Sequence, residues 1–404
     1  ARYVGRDLPT VHHWRRGLSD GLLAWLLPAS NVDRDAGAAE AVGVNRGIGW
    51  TGTYDMAGNV REWCDNVVGQ GDRAILGGSW ADQAYMVEAS MSDPYRLSPF
   101  DRSPENGVRL AEIRDPAPVS TLLRRPLEDS PDVEIPKPRS DEVFEAMRSF
   151  FEYERLPLDA RVEETTEFRH WVRQRVSIVG IEPGERIPLY VFLPKRESTR
   201  FPVITYWTGA TAMFLDSIDK QPFPLAFAIR NGYAVVLPVL DGTFERNLGS
   251  VADWTTVRGR DLAITQAREF RRIIDYIEVR DDLETDRLGY FGRSWGGRVG
   301  AIMLAVEPRL SYGILDQAGI NAGDHPDINV AHYLPRVTAP VLHFSGLYDT
   351  DFRFETSSRP FFERLGTDVA DRRHVVEPAG HFVPPGVVIA ESLTWLDRYA
   401  PVDR

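Results

Sequence analysis

The stretch Gly292-Arg293-Ser294-Trp295-Gly296-Gly297 decides the fold of this chain, because it places a G-x-S-x-G pattern directly after the apolar run 288–291. The arrangement predicts a strand that ends in a tight turn, with a helix beginning near Gly297. Such a turn holds the Ser294 hydroxyl out at the end of a sheet, and the flanking glycines leave the space that the turn needs. The pattern is common by chance, so the surrounding sequence has to support it.

The sequence around the turn predicts alternating strands and helices. Short apolar runs at 202–206, 233–237, 312–315 and 341–344 are typical of buried parallel strands. Residues 253–280 carry apolar side chains at three- and four-residue steps, which predicts an amphipathic helix. We therefore expect an α/β fold with a doubly wound, mostly parallel sheet. Catalytic loops gather at the carboxyl ends of the strands in such a sheet.

A serine nucleophile needs a base, because a neutral hydroxyl attacks poorly. Five histidines follow Ser294, and two of them, His343 and His374, fall in strand-like runs where a structural role is expected. His381 comes just past the last predicted strand, in a loop that should rise over the site. We expect His381 to be the base.

The acid that orients the base should come between the serine and the histidine, since this fold has the order Ser, Asp or Glu, His. Asp349 leaves the strand 341–345 directly and is the expected acid. Asp351, two residues further on, is the alternative.

These residues resemble the α/β-hydrolase superfamily, and within it the esterase, dienelactone-hydrolase or prolyl-oligopeptidase-like branch, over roughly residues 170–402. The resemblance implies that Ser294 attacks a carbonyl carbon, that His381 carries the proton and that Asp349 fixes the imidazole tautomer. It also implies an oxyanion hole of two backbone amides, at Trp295 and at Ala210. The expected activity is hydrolysis of carboxyl esters through an acyl-enzyme. A peptidase or amidase of prolyl-oligopeptidase type, or a non-catalytic regulatory or binding module, is the alternative.

Aromatic residues lie in or beside the loops expected to reach the site. They give a large apolar contact surface and are candidates for lining a substrate pocket. Packing in the core or between domains is the alternative for each of them. The candidates are Trp207, Trp254, Tyr348, Phe352 and Phe382.

A proline-rich, charged stretch without apolar periodicity, residues 114–139, is typical of a linker. It separates an expected first domain, 1–113, from an expected hydrolase domain, 140–404. The second domain should open with a helix from Asp141, followed by an antiparallel hairpin. The expected apolar face of the helix consists of Val143, Phe144, Met147, Phe150 and Phe151, and the hairpin strands are 171–179 and 187–193.

Four sequence motifs indicate which family the first domain resembles. They are Gly5–Thr10 with Trp14, then 52–63, 77–80 and 106–111. In this order they resemble the formylglycine-generating-enzyme (sulfatase-modifying factor) family, which implies a small, irregular α+β module of C-type-lectin-like fold. The match covers the later half of the usual domain, so we expect a fragment or a processed product. The combination resembles bacterial proteins that join a kinase, such a module and a hydrolase.

The chemistry of that family requires residues that are not evident here. Its active members hold copper with a cysteine pair, whereas this chain has Cys64 alone. Related iron-dependent enzymes need three histidines, and His12 and His13 have no evident third partner. We therefore expect no metal and no cofactor, with Glu62 and Arg109 forming a buried structural pair.

Composition limits the partners. The net charge of −12 argues against nucleic acid and anionic membranes, since the field repels phosphate. One cysteine excludes an internal disulfide, and no apolar stretch is long enough to insert in a membrane. We expect a small-molecule ester as substrate, packing between the two domains and a cytoplasmic location. Assembly into a homo-oligomer stays open.

Overall fold

The computed structural model describes residues 1–18, 26–33, 37–49, 51–69, 71–87, 95–112, 123–127, 134–182, 184–220, 223–250 and 252–402. These residues form two compact units. The first unit is Ala1–Val133 with the short segments Tyr348–Asp351 and Pro378–His381, and the second unit is Glu134–Leu347, Phe352–Glu377 and Phe382–Arg404. Much of the expected linker, at 114–122 and 128–133, lies outside the described residues.

The first unit contains a small sheet beside one helix. The helix is α1, Val11–Leu18, and the strands are β1 Arg61–Val68, β2 Asp72–Leu76, β3 Tyr95–Leu97 and β4 Asn106–Gly107, in the order β3-β2-β1-β4. Side chains along β1 alternate between half-buried and buried, as expected for a strand with one face on a core. That core includes Trp14, Leu18, Cys64 and Leu76.

The second unit is built on a nine-stranded sheet. Its strands are β5 Arg161–Glu167, β6 Trp171–Val179, β7 Arg186–Pro194, β8 Phe201–Trp207, β9 Ala234–Pro238, β10 Leu283–Arg293, β11 Tyr312–Asp316, β12 Val341–Gly346 and β13 Arg372–Glu377. The order is β13-β12-β11-β10-β8-β9-β7-β6-β5. Strands β8 to β13 pair in parallel, whereas β5, β6 and β7 form an antiparallel extension that joins β9.

Helices cover both faces of this sheet. They are α2 Asp141–Arg148, α3 Ala226–Arg230, α4 Val257–Glu278, α5 Trp295–Val306, α6 Arg359–Glu363 and α7 Pro385–Tyr399. One apolar cluster joins the sheet to α2, α4 and α5, and a second joins it to α3 and α7. Successive residues of β8 divide between the clusters, with Val203 in the first and Ile204 in the second. The predicted doubly wound α/β sheet is therefore confirmed.

Two local expectations differ from the structure. Helix α5 begins at Trp295, directly after the serine and before the expected Gly297. Phe144 and Met147 in α2 and Phe151 in the turn after it are buried as predicted. Val143 in α2 and Phe150 in the turn are 43% and 36% exposed. The buried stripe is therefore narrower than predicted, and its last part lies in a 3-10 turn, since α2 ends at Arg148.

Candidate active site

Ser294 is the single residue that separates the end of β10 from the start of α5. Its backbone has φ 54° and ψ −114°, a conformation that side-chain-bearing residues rarely adopt. Its N–H donates to the Asp316 carbonyl at 2.7 Å, which ties the turn to the neighbouring strand β11. A Cβ on Gly292 would lie 2.2 Å from the Gly296 carbonyl oxygen, so the turn closes only with glycine there.

Asp349 and His381 are hydrogen-bonded to each other. The His381 Nδ1–H donates to the Asp349 carboxylate, with distances of 2.9 and 3.0 Å to its two oxygens. Asp349 is 5% exposed, so this contact is shielded from water. The structure therefore brings the predicted acid and the predicted base into direct contact.

The pairing of β12 with β13 explains how the acid and the base meet. The last pair of the ladder joins Gly346 to Glu377, so the two loops leave the sheet side by side. The two loops stay side by side beyond the ladder, because the Tyr348 N–H donates to the Ala379 carbonyl at 3.0 Å. Parallel strands present their carboxyl ends at one edge, which is also where β10 delivers Ser294.

The neighbours of Ser294 and His381 in the chain contact each other. The guanidinium carbon of Arg293, the residue before the serine, lies 4.8 Å from the centroid of the Phe382 ring, the residue after the histidine. The Arg293 Nε is 3.3 Å from the carboxylate of Asp316, which is 2% exposed. The sequence motif does not reveal this cation–π contact, since the first x of the G-x-S-x-G pattern accepts any residue.

The two expected oxyanion donors occupy equivalent places. Trp295 is the first residue of α5, and Ala210 is the first residue of the 3-10 helix Ala210–Met213. The first N–H groups of a helix have no partner within that helix, and this position is consistent with the expected role of both residues. A Cβ on Gly209 would lie 3.4 Å from the Ser294 Cβ, which places the loop after β8 alongside the serine.

Three of the five aromatic candidates are buried. The Trp207 ring is 1% exposed and stacks on Phe270 at 5.1 Å, so it packs in the core, which is the alternative named for these aromatic residues. Trp254 is 8% exposed and stacks on Trp295 at 5.1 Å, and Phe352 is also buried.

The other two aromatic candidates, Tyr348 and Phe382, are exposed by 41% and 60%. Tyr348 lies in the loop after β12, and Phe382 lies in the loop after β13. Tyr348 directly precedes Asp349, and Phe382 directly follows His381. Their rings are therefore able to contact a molecule that approaches from solvent.

Comparison with known proteins finds a family match for the start of the chain and structures of similar fold. Residues 1–114 match the family model of the sulfatase-modifying factor enzyme 1-like domain. The chain is similar in structure to acetyl xylan esterase 1 from Thermoanaerobacterium sp. JW/SL YS485, with a TM-score of 0.52 and 17% identity, over 67% of this chain and 97% of that one. The second unit has the α/β-hydrolase fold.

A further solved structure agrees with this assignment. The acetyl xylan esterase from Paenibacillus sp. R4 is similar with a TM-score of 0.51 and 14% identity, over 66% of this chain and 96% of that chain. The curated proteins contain no match to the sequence.

A buried ion pair supports the nucleophile helix of this α/β-hydrolase unit. Arg298 lies one turn after Ser294, and its N–H donates to the Ser294 carbonyl at 2.9 Å. Its guanidinium is 3.0 Å from the Asp324 carboxylate, and the two side chains are 8% and 1% exposed. Burial raises the pKa of Asp324 to about 6. An arginine in the otherwise apolar helix 295–306 is the sequence signal for such a partner.

The predicted structural role of His343 and His374 in the hydrolase sheet is confirmed. Their rings stack at 4.7 Å with an interplanar angle of 10°, and His374 Nε2 is 2.7 Å from the Ser345 hydroxyl oxygen. Burial lowers the pKa of His374 to about 4 and holds the pKa of His343 well below its usual value. Both rings are therefore neutral at pH 7.

In the first unit, the predicted pairing of Glu62 with Arg109 is confirmed. Both carboxylate oxygens accept hydrogen bonds of 2.7 Å from the Arg109 guanidinium, and Trp14 donates a further one at 2.6 Å. Burial raises the pKa of the nearby Cys64 thiol, so it is not a thiolate at pH 7. Within the described part of the chain, no group of three or more His, Cys, Asp or Glu could hold a metal ion. Likewise, no helix in that part is long and apolar enough to cross a membrane.

Proposed function

We propose that this chain is a serine hydrolase that cleaves small carboxyl esters through an acyl-enzyme on Ser294. The hydrogen bond from His381 to the buried Asp349 carries the proposal, since it fixes the tautomer in which Nε2 accepts a proton. The strained backbone of Ser294 is a second support, because such conformations persist where function requires them. The contact of Arg293 with Phe382 is a third, as it joins the flanks of serine and histidine.

The reaction would proceed in two halves. In the first, the Ser294 oxygen attacks the ester carbonyl while its proton moves to His381 Nε2, and the imidazolium then protonates the leaving alcohol. In the second, a water molecule attacks the acyl-enzyme by the same route and releases the acid. Asp349 stays ionised throughout and stabilises the imidazolium.

The negative charge on the carbonyl oxygen would be held by the N–H groups of Trp295 and Ala210. Both belong to the first residue of a helical turn, so they are oriented before the substrate arrives and need no reorganisation. Removal of one such donor typically costs a factor of about one hundred to one thousand in kcat in serine hydrolases.

An ester is the proposed substrate class because the two solved structures described above, which are similar in fold to this chain, are named acetyl xylan esterases. The exposed rings of Tyr348 and Phe382 would provide apolar contact surface for the acyl or alcohol part. The same triad could also cleave amides, so matched substrates are part of the test.

The decisive experiment compares the wild-type protein with Ser294→Ala on p-nitrophenyl acetate and on the matched anilide. We expect the substitution to lower kcat/KM on the ester by at least about one thousandfold, since a triad acts as a unit. Ser198→Ala, on an exposed turn before β8, is the matched control and should keep full activity.

Labelling with a fluorophosphonate probe gives an independent readout. The wild-type protein should be labelled and Ser294→Ala should not. Full ester turnover by Ser294→Ala would refute the assignment of the nucleophile. A wild-type protein that neither reacts with the probe nor turns over either substrate would instead be a non-catalytic module, and faster anilide cleavage would indicate an amidase.

A further inference from the structure

The imidazole of His381 lies between two carboxylates. On one side Nδ1 is 2.9 Å from Asp349, and on the other Nε2 is 3.6 Å from the carboxylate of Asp351. The two acids differ in environment, since their side chains are 2% and 61% exposed. A catalytic triad accounts for the first contact and leaves the second without a role.

The acid loop holds Asp351 in this place through its backbone. The Asp351 N–H donates to Asp349 Oδ1 at 2.8 Å, so a carboxylate oxygen of the buried Asp349 holds the backbone of Asp351. Asp349 therefore contacts the histidine and the residue that faces the opposite side of the ring.

We propose that Asp351 is a positioning residue that stabilises the imidazolium formed at His381 during ester cleavage. The proposal rests on the proposed function, because it assigns Nε2 as the atom that takes the Ser294 proton. When that proton arrives, the Ser294 oxygen forms its bond to the carbonyl carbon and the ring becomes a cation. Asp351 takes no proton itself, and its negative charge at 3.6 Å attracts this cation.

The effect has a defined sign. A carboxylate beside Nε2 favours the protonated ring, so it raises the pKa of His381 relative to a protein without that charge. It also lowers the energy of the transition state, in which positive charge develops on the ring. Loss of Asp351 should therefore weaken the base and shift its titration to lower pH.

Other charged and titratable groups near the His381 ring also contribute to the electrostatic potential at the ring. Asp349 adds the same sign of charge on Nδ1. Arg293 contacts the ring of the next residue, Phe382, but its charge is compensated by Asp316. Tyr348, on the acid loop, stacks on Tyr85 at 5.2 Å, and burial raises the pKa of Tyr85, which stays neutral at pH 7.

The test is the pH profile of kcat/KM on p-nitrophenyl acetate for the wild-type protein, Asp351→Asn and Asp281→Asn. An exposed ion pair stabilises by about 0.2–1 kcal/mol, which corresponds to a loss of about 1.4-fold to fivefold on the plateau for Asp351→Asn. The acid limb should move to lower pH by a few tenths of a unit. Asp281→Asn makes the same change in net charge just before the opposite end of β10 and should leave the profile unchanged.

Ionic strength separates an electrostatic role from a structural one. In about 1 M NaCl the screening length falls to about 3 Å, so wild-type protein and Asp351→Asn should converge. Asp351→Glu keeps the charge and should recover part of the loss. Identical profiles of Asp351→Asn and wild-type protein at low salt, a shift of the acid limb to higher pH, or a gain in activity would each overturn the proposal. Failure of the proposed function is distinct, because the wild-type protein would then show no Ser294-dependent turnover.

Discussion

At the scale of single residues, the candidate site depends on contacts made by neighbours of the proposed catalytic groups. Arg293 and Phe382 illustrate this, since one precedes Ser294, the other follows His381, and they contact each other. Phe382 is exposed, so the contact adds little to the core and acts instead on the loop that carries the histidine. Such a contact should affect catalysis more than stability.

Replacement of Phe382 by Ala should therefore lower kcat with little change in the melting temperature. A cation–π contact at an exposed site stabilises by about 0.5–1 kcal/mol, which predicts a loss of about twofold to fivefold. Phe382→Tyr keeps the ring and should keep the activity. The matched control is Phe168→Ala, which removes an exposed ring that faces Arg173 at 5.3 Å on the edge of the sheet. Equal losses in kcat for Phe382→Ala and Phe168→Ala would contradict this role.

At the scale of elements, β12 and β13 carry the acid and base loops and contain a pair of buried imidazoles. His343 and His374 are directly paired in the ladder, and their rings stack on one face of it. The lowered pKa of His374 couples the stability of these strands to pH. Its pKa is about 4 in the folded protein against a usual 6.5, so the unfolded chain binds more protons between these values.

Stability of the second unit should accordingly be highest above pH 6.5 and should fall as the pH falls towards 4. From the shift of His374 alone, we expect a loss of about 2 kcal/mol between pH 7.5 and pH 5. Urea unfolding at the two pH values measures it. His374→Phe keeps a ring against Phe362 and should reduce this dependence, whereas unchanged dependence in the variant would assign the effect to other groups.

Strand β5 shows which elements sequence patterns fail to predict. Its sequence, RVEETTE, has one apolar residue, Val162, and almost every side chain is exposed. An apolar alternation arises only where one face of a strand lies on a core. Strand β5 is at the edge of the sheet and is held by backbone pairing with β6, which leaves no hydrophobic period in the sequence. The interior strands, by contrast, were predictable because burial on both faces makes them continuously apolar.

At the scale of the whole molecule, charged side chains join helices that lie far apart in sequence. Arg309 contacts Asp275 and Glu278 at 2.7 Å on α4, and it contacts Glu307, just past α5, at 2.6 Å. The Glu307 side chain is 1% exposed, and neighbouring arginines lower its pKa despite its burial. This ion-pair network connects the helix that precedes β10 to the helix that follows it.

Arg309→Met should destabilise the second unit by about 3 kcal/mol, because it leaves a buried carboxylate short of its partner. Arg287→Met is the control, since Arg287 pairs with Glu284 at the surface and its loss should cost less than about 1 kcal/mol. Chemical unfolding of both variants measures the difference. Similar values for the two would show that the network acts as an ordinary surface pair.

The candidate site could be predicted in part, for a physical reason. Ser294, Asp349 and His381 stand in the chain order of their fold, and Ser294 and Asp349 each follow a buried strand, which leaves an apolar signature. His381 follows the edge strand β13, of which Val375 alone is buried. Their assignment as a triad stays a prediction that the Ser294→Ala experiment tests. The burial of Trp207 was not predictable, because aromatic residues occur both in cores and in pockets.

The sequence by itself determined the α/β architecture, the glycine-lined turn at Ser294 and the likeness of the first 114 residues to the sulfatase-modifying factor family. These depend on local steric limits and on hydrophobic periodicity, which a chain carries along its length. The tertiary structure decided which charges meet: Asp351 at Nε2 of His381, Asp324 at Arg298, and Arg293 over Phe382. Such contacts join loops that are distant in sequence, and their geometry exists only once the strands have paired.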